Sequence, residues 1–235
     1  MWKKATVSVV LPAYNEEEGI AASVLAFAST GIPDEVIVVD NNSKDATATL
    51  AAQAGARVVP QPVQGYGAAL AKGLQVATGD IVVMCEPDGS FAADDIEKLL
   101  LYCDDFDVVF GTRTSKTMIW SGAKMDSFLR YGNAAVAKLL EYLHNGPCLT
   151  DVGCTFKAIK RPALTRVIDK IDVRDSRFSP HFMILCIRSG LRCIEIPVNY
   201  KVRVGQSKIT STFSKSFKLG MRMIGMIVGA RFRRL

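Results

Sequence analysis

The chain has 235 residues, 49% of them hydrophobic and 22% charged, with a formal net charge of +6. That length and apolar share suit one large α/β domain with a real core, alone or with a short appendage. Six cysteines without a CxxC pair argue against a disulfide framework and for a reducing, cytoplasmic compartment, and neither a leader-like start nor a bilayer-length apolar run is present.

The charge is unevenly placed. After Glu195 there are nine cations and no acid, whereas 20 basic residues face 23 acidic ones over residues 1–195. The basic end could therefore face phosphates, an anionic membrane surface or nucleic acid.

Thr6 to Leu11 reads as a first strand stopped by Pro12, and Asn15 with Glu16, Glu17 and Glu18 supplies a cap and an acidic first turn for a helix to about Thr30. Glu35 to Asp40 is a second strand, continuously apolar until its closing acid, as a strand buried on both faces should be. An Ala-rich helix over 46–54, a strand over 57–59 and a helix over 68–77 opened by Gly65-Tyr66-Gly67 come next. Then comes Val82-Val83-Met84-Cys85-Glu86-Pro87-Asp88, an apolar strand ending in two carboxylates either side of a proline. A helix over 94–103 and a strand over 107–110, ending at Gly111-Thr112-Arg113, complete five alternations. This pattern predicts a doubly wound, mostly parallel sheet, in which ligands bind beyond the carboxyl ends of the strands.

Beyond Arg113 the pattern loosens into a polar loop, a helix to about Leu143, a strand after Asp151, a helix over 180–189 and a strand over 191–200. Lys201 to Lys208 is a basic loop. The last segment, 212–230, sets Phe213, Phe217, Met221, Ile224 and Val228 along one helical face with Lys215, Lys218 and Arg222 opposite, a pattern for a membrane interface, a second subunit or the chain's own core. The division expected is a domain over 1–210 and a basic amphipathic helix over 211–235.

Asp40, Glu86, Asp88 and Arg113 all fall at strand ends. Taken singly each is an ordinary turn residue, but four converging on one sheet edge suggest a site. A strand-end carboxylate such as Asp40 can accept hydrogen bonds from a nucleobase. Glu86 and Asp88 can hold Mg²⁺ or Mn²⁺, which keeps several waters and completes its shell with phosphate oxygens, and Arg113, Arg203 and Lys208 are candidates for phosphate contacts.

Four stretches, 9–16, 38–45, 65–69 and 86–88, resemble in order the nucleotide-sugar half of family-two glycosyltransferases with the GT-A fold. Two later ones, 150–157 and 195–208, resemble the dolichol-phosphate mannose synthase branch, whose members glycosylate polyprenyl phosphates. The resemblance implies that Pro12, Tyr14, Glu16, Val39, Asp40, Gly67, Pro87, Ser90 and Arg113 serve the nucleotide sugar, with Glu86 and Asp88 at the family's DxD motif and as metal ligands. Glu86 stands where Asp is usual, and Ser90 where branch members often carry Gln. Asp88, Asp151, Arg203 and Lys208 would form the catalytic set, Lys208 closing over the donor, and Lys124 and Arg130 would meet the acceptor phosphate.

For the reaction, the same resemblance implies an inverting, Mg²⁺- or Mn²⁺-dependent transfer of a hexose from GDP-mannose or a UDP-hexose to a polyprenyl phosphate. The expected partners are that donor, that acceptor, a membrane surface and, as a further option, a second copy of the chain, with no nucleic acid. No Gln/Arg-x-x-Arg-Trp motif of processive synthases is present, and His144 and His181 show no metal or triad spacing. A nucleotidyltransferase would carry a glycine-rich basic loop where Pro12 to Glu16 stands, and a dinucleotide-dependent dehydrogenase would carry GxGxxG there. A glycosyltransferase with a non-lipid acceptor, and a non-enzymatic nucleotide-binding protein, are the alternatives.

Overall fold

The computed structural model describes residues 1–123, 125, 127–204 and 213–233, without the side chains of Phe213 and Lys215. The elements in order are β1 (Val7–Ala13), α1 (Ile20–Ser29), β2 (Glu35–Asp40), α2 (Thr47–Gln53), β3 (Arg57–Pro60), α3 (Tyr66–Val76) and β4 (Ile81–Met84). They continue with α4 (Ile96–Tyr102), β5 (Val108–Thr112), α5 (Ser127–His144), β6 (Lys157–Lys160), α6 (Arg161–Thr165), α7 (Phe178–Arg188), β7 (Cys193–Pro197) and α8 (Phe213–Phe232). The seven strands form one sheet in the order β3-β2-β1-β4-β6-β5-β7.

Neighbours pair in parallel except β6, which runs antiparallel to both β4 and β5. Successive side chains point to opposite faces, so each strand feeds two cores. Val10, Ile37, Val82 and Phe110 pack beneath α3, α5, α7 and α8, while Val9, Val38, Val83 and Val109 pack beneath α1, α2 and α4. α8 belongs to the first core: it buries Met223 and Ile227, each stabilising the fold by about 1.5–3 kcal/mol. His144 ties α5 to it, with Nε2 3.0 Å from the Ile227 carbonyl oxygen.

Two features depart from the expected elements. The acids after Asn15 do not open α1, which starts at Ile20 with Gly19 as its cap. Instead the backbone of 15–17 is hydrogen-bonded to the turn after β2: Asn15 N–H to Ser43 Oγ at 3.0 Å, Glu16 N–H to Thr47 Oγ1 at 2.8 Å and, in return, Lys44 N–H to Asn15 Oδ1 at 2.8 Å. That bracing outcompetes a helical turn and holds the segment over the sheet edge. The second departure is α6, a one-turn helix with proline in its first turn, which is too short to show a helical period.

No helix among the described residues is long and apolar enough to cross a membrane. All six cysteines are free thiols, and only Cys148 is exposed.

Candidate active site

β1 pairs with β2 on one side and β4 on the other, so the chain order reverses between β1 and β4. A crevice forms at such a switch point. Here it is a cavity of about 590 Å³ lined by Pro12, Tyr14 and Glu16 after β1, Asn41 after β2, and Glu86, Pro87 and Asp88 after β4. Arg113, Tyr200 and Arg203 wall its middle, and α5 and α8 close its far end with Phe128, Leu129, Val136, Met221, Met223 and Ile224.

The acidic turn is held from three sides. Gly89 takes the left-handed conformation (φ +70°) that closes it, the Ser90 N–H donates to Asp88 Oδ1 at 2.9 Å, and Ser23 Oγ of α1 donates to the Pro87 carbonyl at 2.5 Å. Across it, Lys201 N–H reaches the Ser90 carbonyl at 2.7 Å and Val204 N–H the Asp88 carbonyl at 2.8 Å. The strap over 201–204 thereby carries Arg203 to within 3.1 Å of Asp88 Oδ2. Ser90 Oγ and Arg203 Nε are buried beside this pair and have no hydrogen-bond partner among the described residues.

Glu86 is anchored differently. Its Oε1 accepts from Thr155 Oγ1 at 2.9 Å and from the Tyr66 hydroxyl at 3.3 Å, and those two hydroxyls bond each other. Part of the residue faces the cavity, but protein surrounds its carboxyl. Burial, then the charge of Asp88, push it up to about 7, against the pull of Arg113 and Arg203.

Arg113 sits behind them. Its Nε and Nη2 donate to Asp151 Oδ2 and Oδ1 at 2.8 and 2.9 Å, and its guanidinium lies 5.4 Å from the Tyr200 ring centroid. Burial opposes the charge on Asp151, yet Arg113 and the Gly153 N–H hold its carboxyl below the usual range. Glu195 in turn fixes the turn that bears Asp151, accepting from Thr150 N–H at 2.7 Å and Asp151 N–H at 3.0 Å.

Of the residues singled out from sequence, Pro12, Tyr14, Glu16, Glu86, Pro87, Asp88, Arg113 and Arg203 meet at this cavity. Others do not reach its wall. Val39 is buried in the core, its Cγ2 against Gly73. Asp40 ends β2 and accepts from Ser43 N–H at 3.3 Å, leaving the wall to Asn41, which binds the Gln61 and Val63 carbonyls and the Gly65 N–H. Gly67 is small because the 173–175 backbone passes over it: a Cβ there would lie 2.5 Å from the Val173 carbonyl oxygen. Ser90 is buried under the strap, and Asp151 is buried against the Arg113 guanidinium. Arg130 leans on Tyr131, 4.9 Å from its ring, outside the cavity lining. Lys124 and Lys208 lie outside the described residues. Sequence reasoning missed Tyr66, Thr155, Asn41 and Glu195, although all four stand in the stretches that carried the resemblance.

The donor set fits a divalent cation. Two adjacent carboxylates, Asp88 buried and Glu86 half-buried with its affinity for protons raised by burial and then by the charge of Asp88, are charge-frustrated in the way a cation relieves, and all their donors are oxygen. Among the described residues no group of three His, Cys, Asp or Glu comes together, so the remaining ligands would be phosphate oxygens and water, as Mg²⁺ and Mn²⁺ accept.

Residues 8–168 match the model of glycosyl transferase family 2. An uncharacterized glycosyltransferase of Mycobacterium tuberculosis is 36% identical over 214 residues, covering 89% of this chain and 92% of that one. A dolichyl-phosphate hexose transferase of Haloferax volcanii is 31% identical over 231 residues, covering 97% of this chain and 96% of that one. Among solved structures, glucosyl-3-phosphoglycerate synthase of Mycobacterium tuberculosis, in complex with Mn²⁺, UDP and phosphoglyceric acid, superimposes with a TM-score of 0.70 at 22% identity, covering 99% of this chain and 80% of that one. A mostly parallel seven-stranded sheet with an acidic turn at its switch point, and a family model that spans most of the chain, lead to one conclusion: the protein is a GT-A-fold glycosyltransferase of family 2.

Proposed function

We propose that the enzyme transfers a hexose from a nucleoside diphosphate sugar, GDP-mannose or a UDP-hexose, to a polyprenyl phosphate, inverting the anomeric centre. The observation that carries this reading is the shape of the cavity. One end is polar and charged, at Glu86, Asp88 and Arg203, and the other is apolar, between α5 and α8. A nucleotide sugar suits the first end, and the second offers a hydrocarbon tail what water cannot. The Haloferax volcanii relative, named as a dolichyl-phosphate hexose transferase, supports it.

Pro12, Tyr14, Glu16 and Asn41 would seat the nucleoside. Glu86 and Asp88 would hold Mg²⁺ or Mn²⁺, which when bound offsets charge on the departing diphosphate. Arg203, whose Nε has no partner among the described residues, would turn from Asp88 to the diphosphate, while Arg113, clamped by Asp151, keeps a fixed positive charge behind it. An acceptor phosphate is anionic at neutral pH. Its oxygen forms the new bond to the anomeric carbon as the sugar's bond to the diphosphate breaks, so this chain need only orient both and exclude water. Lys208 and Lys124 are proposed for the donor and acceptor phosphates, with Arg130 a more distant candidate.

The division into a catalytic body over 1–210 and a helix over 211–235 that seats it on a membrane is part of the same proposal. α8 has two apolar faces: Met223 and Ile227 are buried, while Phe217, Met221, Val228 and Phe232 are 55, 53, 39 and 84% exposed. Incubation with a panel of nucleotide sugars, Mn²⁺ and a short polyprenyl phosphate tests the proposal by whether the sugar enters the lipid.

A further inference from the structure

A second cleft, of about 850 Å³, lies between α7, α8 and the 170–177 segment. Its walls carry Lys170, Arg174, Arg177, Arg188, Arg222 and Arg233 against two carboxylates, Asp172 and Asp175. We propose that this cleft is an anion site that binds a phosphate-bearing ligand, separate from the substrate cavity and independent of the acceptor assigned above.

Three features carry the assignment. The first is uncompensated charge. Asp175 is already shared by Arg177 at 2.9 Å and Arg222 at 2.7 Å, and Asp172 faces His181 Nε2 at 3.2 Å. Among the described residues the side chains of Lys170, Arg174 and Arg233 have no ion-pair or hydrogen-bond partner. Like charges gathered around one concave surface repel, and an anion of two or more charges is the partner that reverses the sign of that interaction.

The second feature is order. Arg188 donates to the carbonyls of Ala230 and, at 2.7 Å, Arg233, which fixes it across the end of α8, and Asp175 fixes Arg177 and Arg222. Guanidiniums held in place offer paired N–H groups that match phosphate oxygens at little further entropic cost. The third is space. α8 presents Gly225 and Gly229 to the cleft, and a Cβ at either would meet no atom of the described residues within 4 Å.

The cleft also shares structure with the substrate cavity. The Arg174 carbonyl accepts the Ala68 N–H at the start of α3 at 3.0 Å, Ser176 lines the cavity, and α8 sends Ile224 to the cavity and Arg222 to the cleft. A bound anion would brace the segment and helix that flank the acceptor end. Two sources of that chemistry are available, a free phosphorylated metabolite or the headgroup of an anionic lipid, since the same helix exposes an apolar stripe.

Calorimetry with inorganic pyrophosphate in EDTA tests the site on the full chain, in the wild type, Arg203→Ala, Lys170→Ser/Arg174→Ser and Gly229→Glu. The last variant keeps every cation and adds a carboxylate on a helix where there is room for it. Binding should survive Arg203→Ala, which removes a cation of the substrate cavity and none of the cleft. It should weaken at least about tenfold in both cleft variants, as expected for loss or neutralisation of charge-assisted contacts. Flotation on phosphatidylcholine vesicles with and without phosphatidylglycerol separates the sources. For a headgroup, the cleft variants lose the phosphatidylglycerol-dependent fraction; for a metabolite, they float like the wild type yet lose pyrophosphate. Pyrophosphate affinity and flotation that are both unchanged in the cleft variants, or pyrophosphate binding abolished by Arg203→Ala alone, would overturn the site and leave the transferase proposal untouched.

Discussion

Asp88 and Arg203 are joined at two levels: Nη2 of the arginine lies 3.1 Å from Oδ2, and the next residue, Val204, donates its N–H to the Asp88 carbonyl at 2.8 Å. The acid at the end of β4 and the basic strap are therefore one unit. If that unit handles the diphosphate, Arg203→Ala lowers kcat/KM by about 10²–10³, the usual effect of removing one preorganised electrostatic donor. Arg203→Lys should recover only part of it, having charge without the fork. Asp88→Ala should abolish transfer while near-ultraviolet circular dichroism stays native. Full activity in Asp88→Ala would return the stretch to being a turn.

Glu195 links pH to stability. Burial, then the repulsion of Asp151, raises its carboxyl from 4.5 to about 7 in the fold, despite hydrogen bonds from Thr150 and Asp151. A folded pKa above the unfolded one means that the native state binds the proton more tightly, so the stabilisation is complete below about 4.5 and is lost as pH climbs through about 7. Melting temperatures between pH 5 and 8 should therefore fall more steeply for the wild type than for Glu195→Gln. Equal slopes would show that Glu195 does not titrate in this window.

Gly67 separates packing from chemistry. Its alanine variant forces a methyl to within 2.5 Å of the Val173 carbonyl oxygen and 2.9 Å of Arg174 C, backbone atoms that cannot swing aside. The expected loss is about 1–3 kcal/mol, read from urea denaturation, with nucleotide binding impaired only as far as Tyr66 is displaced. A variant of wild-type stability would place the 173–175 segment elsewhere.

These cases show what could be read from the sequence. β2 was legible over its full length because a strand buried on both faces is a continuous apolar run. β6 was harder to delimit, because its first residue, Lys157, is buried and satisfied by the Cys154 carbonyl and by Ser179 Oγ at 2.8 Å, which breaks the pattern without breaking the strand. The Glu86-Pro87-Asp88 turn stood out as charge at the end of an apolar strand. Its supports did not: Thr155 is 69 residues from Glu86 and Asp151 is 38 from Arg113, partners that meet only because β6 inserts between β4 and β5. Asp40 was singled out as the acid that ends β2 and Val39 by its place in a motif; neither lines the cavity, because side-chain direction alternates along a strand and turns at its end.

The exposed stripe of α8 predicts membrane binding. The helix that exposes Met221 and Phe232 also carries Lys218, so wild-type protein should float with vesicles containing anionic lipid and Lys218→Glu/Met221→Ser/Phe232→Ser should not. A wild type that stays at the bottom of the gradient would mean that the stripe is covered by protein.

The acceptor is the central claim, and label partition measures it most directly. With Mn²⁺ and a nucleotide sugar labelled in the hexose, the wild type should move label into the organic phase only when a short polyprenyl phosphate is present, and 3-phosphoglycerate should not replace that acceptor. Label transferred to phosphoglycerate, or donor consumed while the lipid remains unlabelled, would contradict the account.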